Sequence, residues 1–333
     1  MLIEPLLEIR DVSKTFPQPR TLLEVLARQP KRTLHALRGV SLMLRPGETL
    51  GIVGESGCGK STLGRCLAGL HTPEGGEILW RRQPLSDIRR ADRSRRIQMV
   101  FQDPYSSLNP RMTIAQMLDE VLFVHAPSMS SAERRDRTDS LLQMVGLSPG
   151  LKNRLPHAFS GGQRQRISIA RALALEPEVL VADEPVSALD VSVQAQIINL
   201  LESLREKLGI SIIFIAHDLN VVRHISHRVA VMYLGQIVET AATETLFGNP
   251  QHPYTQALLS AIPVPDPDIR SLQVGVQGEL PDPLSPPPGC GFSTRCPFVM
   301  DKCEKPIPEF FDSGGEHHVR CIRAHSSTFS VPA

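Results

Sequence analysis

An α/β fold built on a buried, mainly parallel sheet is predicted by three features of this 333-residue sequence. Apolar segments of strand length recur along it: "TLGIVG" (49–54), "IQMVFQ" (97–102), "EVLVADE" (178–184) and "ISIIFIAHD" (210–218). Helix-patterned stretches of about ten residues or more separate them, the rhythm of strands covered by helices on both faces. A glycine-rich turn follows the first of these strands and opens a helix.

Taken in order, "LLEIRDVSKTF" (6–16) and "LRGVSLMLRPGE" (37–48) alternate apolar and polar residues, as a half-exposed antiparallel sheet requires, so a second, smaller sheet is expected near the start. The stretch between them, "PQPRTLLEVLARQPKRTLH" (17–35), reads as an exposed hairpin loop. Five arginines in "RRADRSRR" (89–96) read as a solvated surface, because neither interleaved aromatics nor a nucleic-acid-binding module accompanies them. Between residues 103 and 160 the strand rhythm stops and apolar residues take helical spacing, broken by Pro and Gly; a helical insertion is expected there. After about residue 262 the chain turns proline-rich, as in "GELPDPLSPPPGC", which suits extended loop. The expected organisation is thus a main domain over 1–262 and a Pro- and Cys-rich extension over 263–333. No tandem repeat is evident.

Hydrophobic residues make up 41% of the chain, ordinary for a protein with a substantial core. Thirty-six basic against 35 acidic residues give a formal charge of +1, so no global field draws nucleic acid or acidic lipid. No apolar run approaches the roughly 18–20 residues that span a bilayer, and the N-terminal stretch mixes charge into its apolar positions, so neither a membrane span nor export is expected.

"GESGCGKS" (54–61) has the phosphate-loop spacing of Gly, four residues, Gly, Lys, Ser, and it lies between strand and helix as that loop must. The stretch Gly54, Glu55, Ser56, Gly57, Cys58, Gly59, Lys60, Ser61 and Thr62 is the candidate nucleotide cradle. Its glycines let successive N–H groups curl around phosphates, Lys60 supplies a cation to the outer phosphates, and Ser61 offers a hydroxyl to Mg²⁺. Cys58 needs no role there, and Cys66 is read as a small buried apolar residue. At the end of "EVLVADE", Asp183 is placed to hold Mg²⁺ and Glu184 to polarise an attacking water. A P-loop NTPase follows as the fold class.

"FSGGQRQR" (159–166), with Gln102, "SALD" (187–190) and His217, resembles in correct chain order the signature set of ATP-binding-cassette (ABC) ATPases, over about residues 6–260. Phe159 stands where leucine is usual. The resemblance implies that Ser160, Gly161, Gly162 and Gln163 close over ATP held by a partner's phosphate loop. It implies further that His217 contacts the γ-phosphate, that Asp190 links the two sites, and that Gln102 joins Mg²⁺ to the transport partner. Phe16 resembles the aromatic that stacks on adenine, the alternative being a core phenylalanine of the small sheet. "NPQHPYTQALLSAIP" (249–263), "FQDPYSSLNPRMTI" (101–114) and the cysteine tail resemble the ATPase subunits of dipeptide and oligopeptide permeases, above all the second ATPase subunit of dipeptide permeases. That family implies a heterodimer with a paralogous ATPase, two transmembrane permeases, an extracytoplasmic solute-binding protein, and a peripheral place on the cytoplasmic face of the cytoplasmic membrane. Alternatives are a non-transport ABC ATPase acting on DNA or ribosomes, or an ATPase whose tail serves mainly as a redox or iron sensor. Neither a second phosphate loop nor heptads favour the DNA or ribosome reading.

Cys290, Cys296, Cys303 and Cys321 remain. In a chain with no export signal a metal site is favoured over disulfides. Zinc sites favour cysteines two to four residues apart, a spacing absent here, whereas a [4Fe–4S] cluster takes one cysteine per corner and tolerates long loops. A Cys₄ zinc site and four free thiols stay open as alternatives. Peptide-importer ATPases with this tail are similar in placing four cysteines for such a cluster, which together with ATP and Mg²⁺ completes the expected cofactors. Its distance along the sequence from Glu184 suggests a structural or iron-sensing role rather than a part in hydrolysis.

Overall fold

In this computed structural model, residues 4–20, 32–261, 278–305, 311–312 and 316–325 are described. The alternating segments near the start pair as expected: β1 (Leu7–Pro17) runs antiparallel to β2 (Thr33–Leu44), with Leu7, Ile9 and Val12 turned inward. β4 (Gly75–Trp80) and β5 (Gln83–Pro84) complete a four-stranded sheet in the order β2-β1-β4-β5.

The apolar runs form the second sheet. β3 (Thr49–Val53), β7 (Val179–Asp183) and β8 (Ser211–Ile215) are buried at every position, and with β6 (Ile97–Val100) and β9 (Arg228–Tyr233) they run parallel. β10 (Gln236–Ala242) returns antiparallel to β9 through a two-residue turn whose residues, Leu234 and Gly235, both have positive φ, the backbone that matches strand twist in a tight hairpin. The extension then contributes β11 (Phe311–Asp312) and β12 (His318–Val319), giving the order β11-β12-β10-β9-β3-β8-β7-β6. The tail is therefore stitched to the main sheet.

The insertion over 103–160 is helical. Helices Pro104–Ser107, Ile114–His125 and Ser131–Met144 occupy it, and the second and third begin with reciprocal caps, Thr113 with Gln116 and Ser130 with Glu133. The arginine-rich stretch forms the helix Arg90–Arg96 with no buried residue; Arg89 pairs with Asp92, and the Arg96 guanidinium lies 5.5 Å from the Trp80 ring. Most of the expected hairpin loop, residues 21–31, and the first proline-rich stretch, 262–277, lie outside the described residues. Among the described residues no helix is long and apolar enough to cross a membrane.

Candidate active site

Strand register builds the site. Ile52 of β3 and Asp183 of β7 both lie level with Ile215 of β8, and Val100 of β6 lies level with Ala182. Parallel strands therefore end together, and the residues just beyond them, Gly54, Gln102, Glu184 and His217, meet along one edge of the sheet.

The loop after β3 turns into the helix Lys60–Leu67. Gly59 has φ 110°, and a Cβ there would come within 2.3 Å of the Ala36 carbonyl oxygen, so only glycine fits. Lys60 is 4% exposed, and its ammonium donates to the Gly54 carbonyl at 2.7 Å and the Glu55 carbonyl at 3.0 Å. Ser61 Oγ donates to Asp183 Oδ1 at 2.8 Å. Burial pushes the Asp183 carboxyl above its usual range, although the Ser61 hydroxyl and nearby Arg65 pull it back down. A buried carboxylate beside a hydroxyl, facing a helix N-terminus, is a donor set suited to Mg²⁺ carrying nucleotide phosphates.

Glu184 follows with φ 45°, a strained backbone for glutamate, held by its N–H to the Ile215 carbonyl. Its Oε2 accepts from Gln102 Nε2 at 2.9 Å and lies 3.5 Å from His217 Nδ1. These three side chains thus form one polar group beside the loop. Ser56, Lys60, Ser61, Thr62, Gln102 and Glu184 line a cavity of about 560 Å³ together with Phe16, His35, Ala36, Gly235, Pro283 and Pro286. Phe16 is half-buried, with its ring 5.3 Å from His71 in an edge contact and Lys14 Nζ 5.4 Å from its centre.

Ser160 to Gln163 lie elsewhere: none lines this cavity. Ser160 caps the helix Gly161–Leu173, accepting from the Gln163 N–H, while the Gln163 side chain accepts from the Ser160 N–H. Asp190 caps the helix Val191–Leu208; hydrogen bonds from the Ser192 hydroxyl and the Val193 N–H hold its carboxyl below the usual range. The two capped ends touch, since a Cβ on Gly162 would come within 2.4 Å of Val193 Cγ1.

The cysteines divide as expected in one respect. Cys58 and Cys66 are buried, and burial pushes the Cys66 thiol up to about 11. All six are free thiols. Cys290 donates its N–H to the Cys303 carbonyl at 2.8 Å, and β12 delivers Cys321 through the pairing of His318 with Thr240. Burial pushes the Cys290 thiol up to about 12; the Phe292 N–H opposes this, and Cys321, Cys303 and Cys296 all reinforce it. The backbone thus brings the cysteine-bearing segments of the tail near one another. Among the described residues, however, no three Cys, His, Asp or Glu side chains are grouped to hold a single metal ion.

Sequence reasoning missed the contribution of the tail to this site. The phosphate-loop carboxylate Glu55 accepts from Arg295 Nη1 through both oxygens, at 3.0 and 2.9 Å, and Arg295 immediately precedes Cys296. Tyr254, in the "HPY" stretch, accepts the Glu55 N–H at 2.9 Å on its hydroxyl. Distance along the chain from Glu184 was a poor guide, because β9, β10 and β12 fold the tail back over the loop.

The ABC transporter family profile matches residues 37–187, and that of the oligopeptide/dipeptide transporter C-terminal region matches residues 238–303. The chain is 52% identical over 302 residues to the oligopeptide transport ATP-binding protein OppF of Escherichia coli (strain K12), covering 89% of this chain and 90% of that protein. This chain belongs to the ATP-binding subunits of oligopeptide and dipeptide ABC transporters. Other members of this family are similar across nearly the whole chain: the oligopeptide transport ATP-binding protein AppF of Bacillus subtilis (strain 168) is 49% identical over 324 residues, 96% of this chain and 97% of that one. The dipeptide transport ATP-binding protein DppF of E. coli (strain K12) is 49% identical over 321 residues, 95% and 93% respectively. Among solved structures, cbiO1 of Clostridium perfringens, part of the ABC transporter complex cbiONQ, superimposes with a TM-score of 0.61 at 29% identity, covering 74% of this chain and 92% of its own. The ATP-binding cassette MJ0796, a dimer in a post-hydrolysis state bound to ADP and Pi, gives a TM-score of 0.61 at 30% identity, covering 71% and 98%. The P-loop ABC ATPase fold and ATP hydrolysis are therefore properties of this transporter subunit.

Proposed function

We propose that this chain hydrolyses ATP to power import of dipeptides or related small peptides, as one of two unlike ATPase subunits beneath two transmembrane permeases. An extracytoplasmic solute-binding protein supplies the peptide, and the subunit sits peripherally on the cytoplasmic face of the cytoplasmic membrane. The observation that carries the reading is the union of one cavity holding Lys60, Gln102 and Glu184 with a C-terminal region of the peptide-transporter kind.

In this reading Gly54 to Thr62 cradle the phosphates, with Lys60 leaving the loop carbonyls for the outer phosphates. Ser61 and Asp183 hold Mg²⁺, with Gln102 alongside, and the ion neutralises phosphate charge when bound. Glu184 polarises the attacking water, His217 contacts the γ-phosphate, and Phe16 stacks on adenine. Ser160 to Gln163, exposed or half-buried and outside this chain's cavity, act on ATP bound to the partner. That geometry requires a dimer, the form in which MJ0796 was solved, and Asp190, bonded to the Val193 N–H, links the two sites. The catalytic unit spans 1–262 and the extension 263–333.

The spacing of Cys290, Cys296, Cys303 and Cys321 along one tail supports a [4Fe–4S] cluster with one cysteine at each corner, which when bound would staple the extension. Anaerobically purified protein should carry about four irons per chain. Stoichiometric zinc without iron would reject the cluster.

The transport reading is tested by ATPase assays on the chain alone and in complex with the paralogous subunit and permeases. Poor activity alone, with stimulation by peptide-loaded binding protein in the complex, is expected. Full peptide-coupled activity with this chain as the only ATPase would reject the heterodimer.

A further inference from the structure

Glu55 is held through three separate groups. Its carboxylate is forked onto Arg295, its N–H is donated to the Tyr254 hydroxyl, and its carbonyl accepts from Lys60. Two of those three holders lie in the C-terminal part of the chain. The Arg295 side chain is only 11% exposed and also reaches the Tyr233 hydroxyl at 3.3 Å, so it has little freedom to release the loop.

Arg295 is in turn fixed by the cysteine segment. Its N–H donates to the Phe292 carbonyl, and Phe292, 1% exposed, packs 5.4 Å from both Tyr233 and Tyr254. The turn that carries it runs from Cys290, whose carbonyl accepts the Ser293 N–H, to Cys296, whose N–H returns to the Ser293 carbonyl. Displacing either cysteine therefore displaces Arg295. Without Arg295, the Glu55 carboxylate would stand uncompensated in a loop that must receive a polyanion, repelling it across a few ångströms of partly buried space.

We infer that Arg295 is a positioning residue of the phosphate loop, through which the four-cysteine segment sets nucleotide affinity and nucleotide occupancy in turn steadies that segment. The inference rests on ATP occupying the loop and needs no metal at the cysteines. Coupling of this kind is reciprocal: whatever factor the segment contributes to ATP binding, ATP returns to the ordering of the segment.

The test uses the full chain with Mg-ATP. Binding should weaken about tenfold or more in Arg295→Ala, the range of a hydrogen-bonded charge pair, and less in Arg295→Lys. The double variant Arg295→Ala/Glu55→Gln should regain part of the lost affinity, because it removes the stranded carboxylate; a merely structural role for Arg295 gives no such rescue. Hydrogen exchange supplies a readout independent of activity. Mg-ATP should slow exchange at the Cys290, Ser293 and Cys296 amides in the wild type and fail to do so in Arg295→Ala. Equal ATP affinity in all four proteins, or equal nucleotide protection of these amides with and without Arg295, overturns the inference. A wild type whose ATP binding is untouched by Lys60→Ala would instead overturn the assignment of the nucleotide site itself.

Discussion

The Ser61 hydroxyl donates to Asp183 Oδ1 at 2.8 Å across 122 residues of sequence, tying the phosphate loop to the end of β7. This contact joins the two residues proposed to hold Mg²⁺. It also holds a carboxylate that burial disfavours, a stability cost accepted for a functional charge.

Asp183→Asn should therefore separate stability from activity. The amide keeps a partner for Ser61 and removes a buried charge, so the thermal midpoint should stay level or rise. ATP hydrolysis should fall about a hundredfold or more, because Mg²⁺ loses its anionic partner. Calorimetry and phosphate release on the same preparation check both halves; a variant that is less stable yet fully active would contradict the assignment.

Glu184→Gln keeps size and one hydrogen-bonding oxygen for Gln102 but removes the carboxylate proposed to polarise the attacking water. Hydrolysis at this chain's site should fall about 10²- to 10⁴-fold while ATP binding persists. In a complex whose partner site is also disabled, ATP-bound closed dimers should accumulate, and single-turnover assays would show no release of phosphate.

Gly162→Ala places a methyl group 2.4 Å from Val193 Cγ1, between the signature helix and the helix capped by Asp190. Valine must turn or the helix must shift, at about 1–3 kcal/mol. ATP binding to the isolated chain should be unchanged, since Gly162 is outside its cavity. Activity of the assembled dimer should drop, and comparing nucleotide affinity with dimer turnover separates the two effects.

His252 is buried, its Nδ1 accepts the Tyr254 N–H at the start of the helix Pro253–Ser260, and burial lowers its pKa to about 4. The unfolded chain takes up that proton near pH 6.5 and the folded chain does not, so stability is complete above pH 6.5 and declines as pH falls toward 4. The slope is about 1.4 kcal/mol per pH unit within that window. His252→Asn keeps an N-cap acceptor without a titrating ring, and its unfolding midpoint between pH 6.5 and 4.5 should fall less steeply than that of the wild type.

Much of this site was legible because its chemistry is local. The loop 54–61 and the carboxylates at 183–184 each announce themselves by residue type at a fixed spacing, and buried parallel strands read as unbroken apolar runs. The hairpin of β9 and β10 was not foreseen, because its turn is Leu234-Gly235 rather than Asn-Gly and its strands merge into one apolar stretch. Arg295, Tyr254, Pro283 and Pro286 escaped for a different reason. Each is an ordinary residue type brought beside the phosphate loop or its cavity by long-range contact alone, and single-sequence patterns carry no such information.

The most direct measurement is uptake of a labelled dipeptide into proteoliposomes that hold this chain, its paralogous ATPase and both permeases, with binding protein outside and ATP at the nucleotide-binding face. The account predicts ATP-dependent accumulation that disappears when this chain carries Lys60→Ala. Accumulation at the wild-type rate with Lys60→Ala, or assembled wild-type complex that hydrolyses ATP without moving any short peptide, would contradict it.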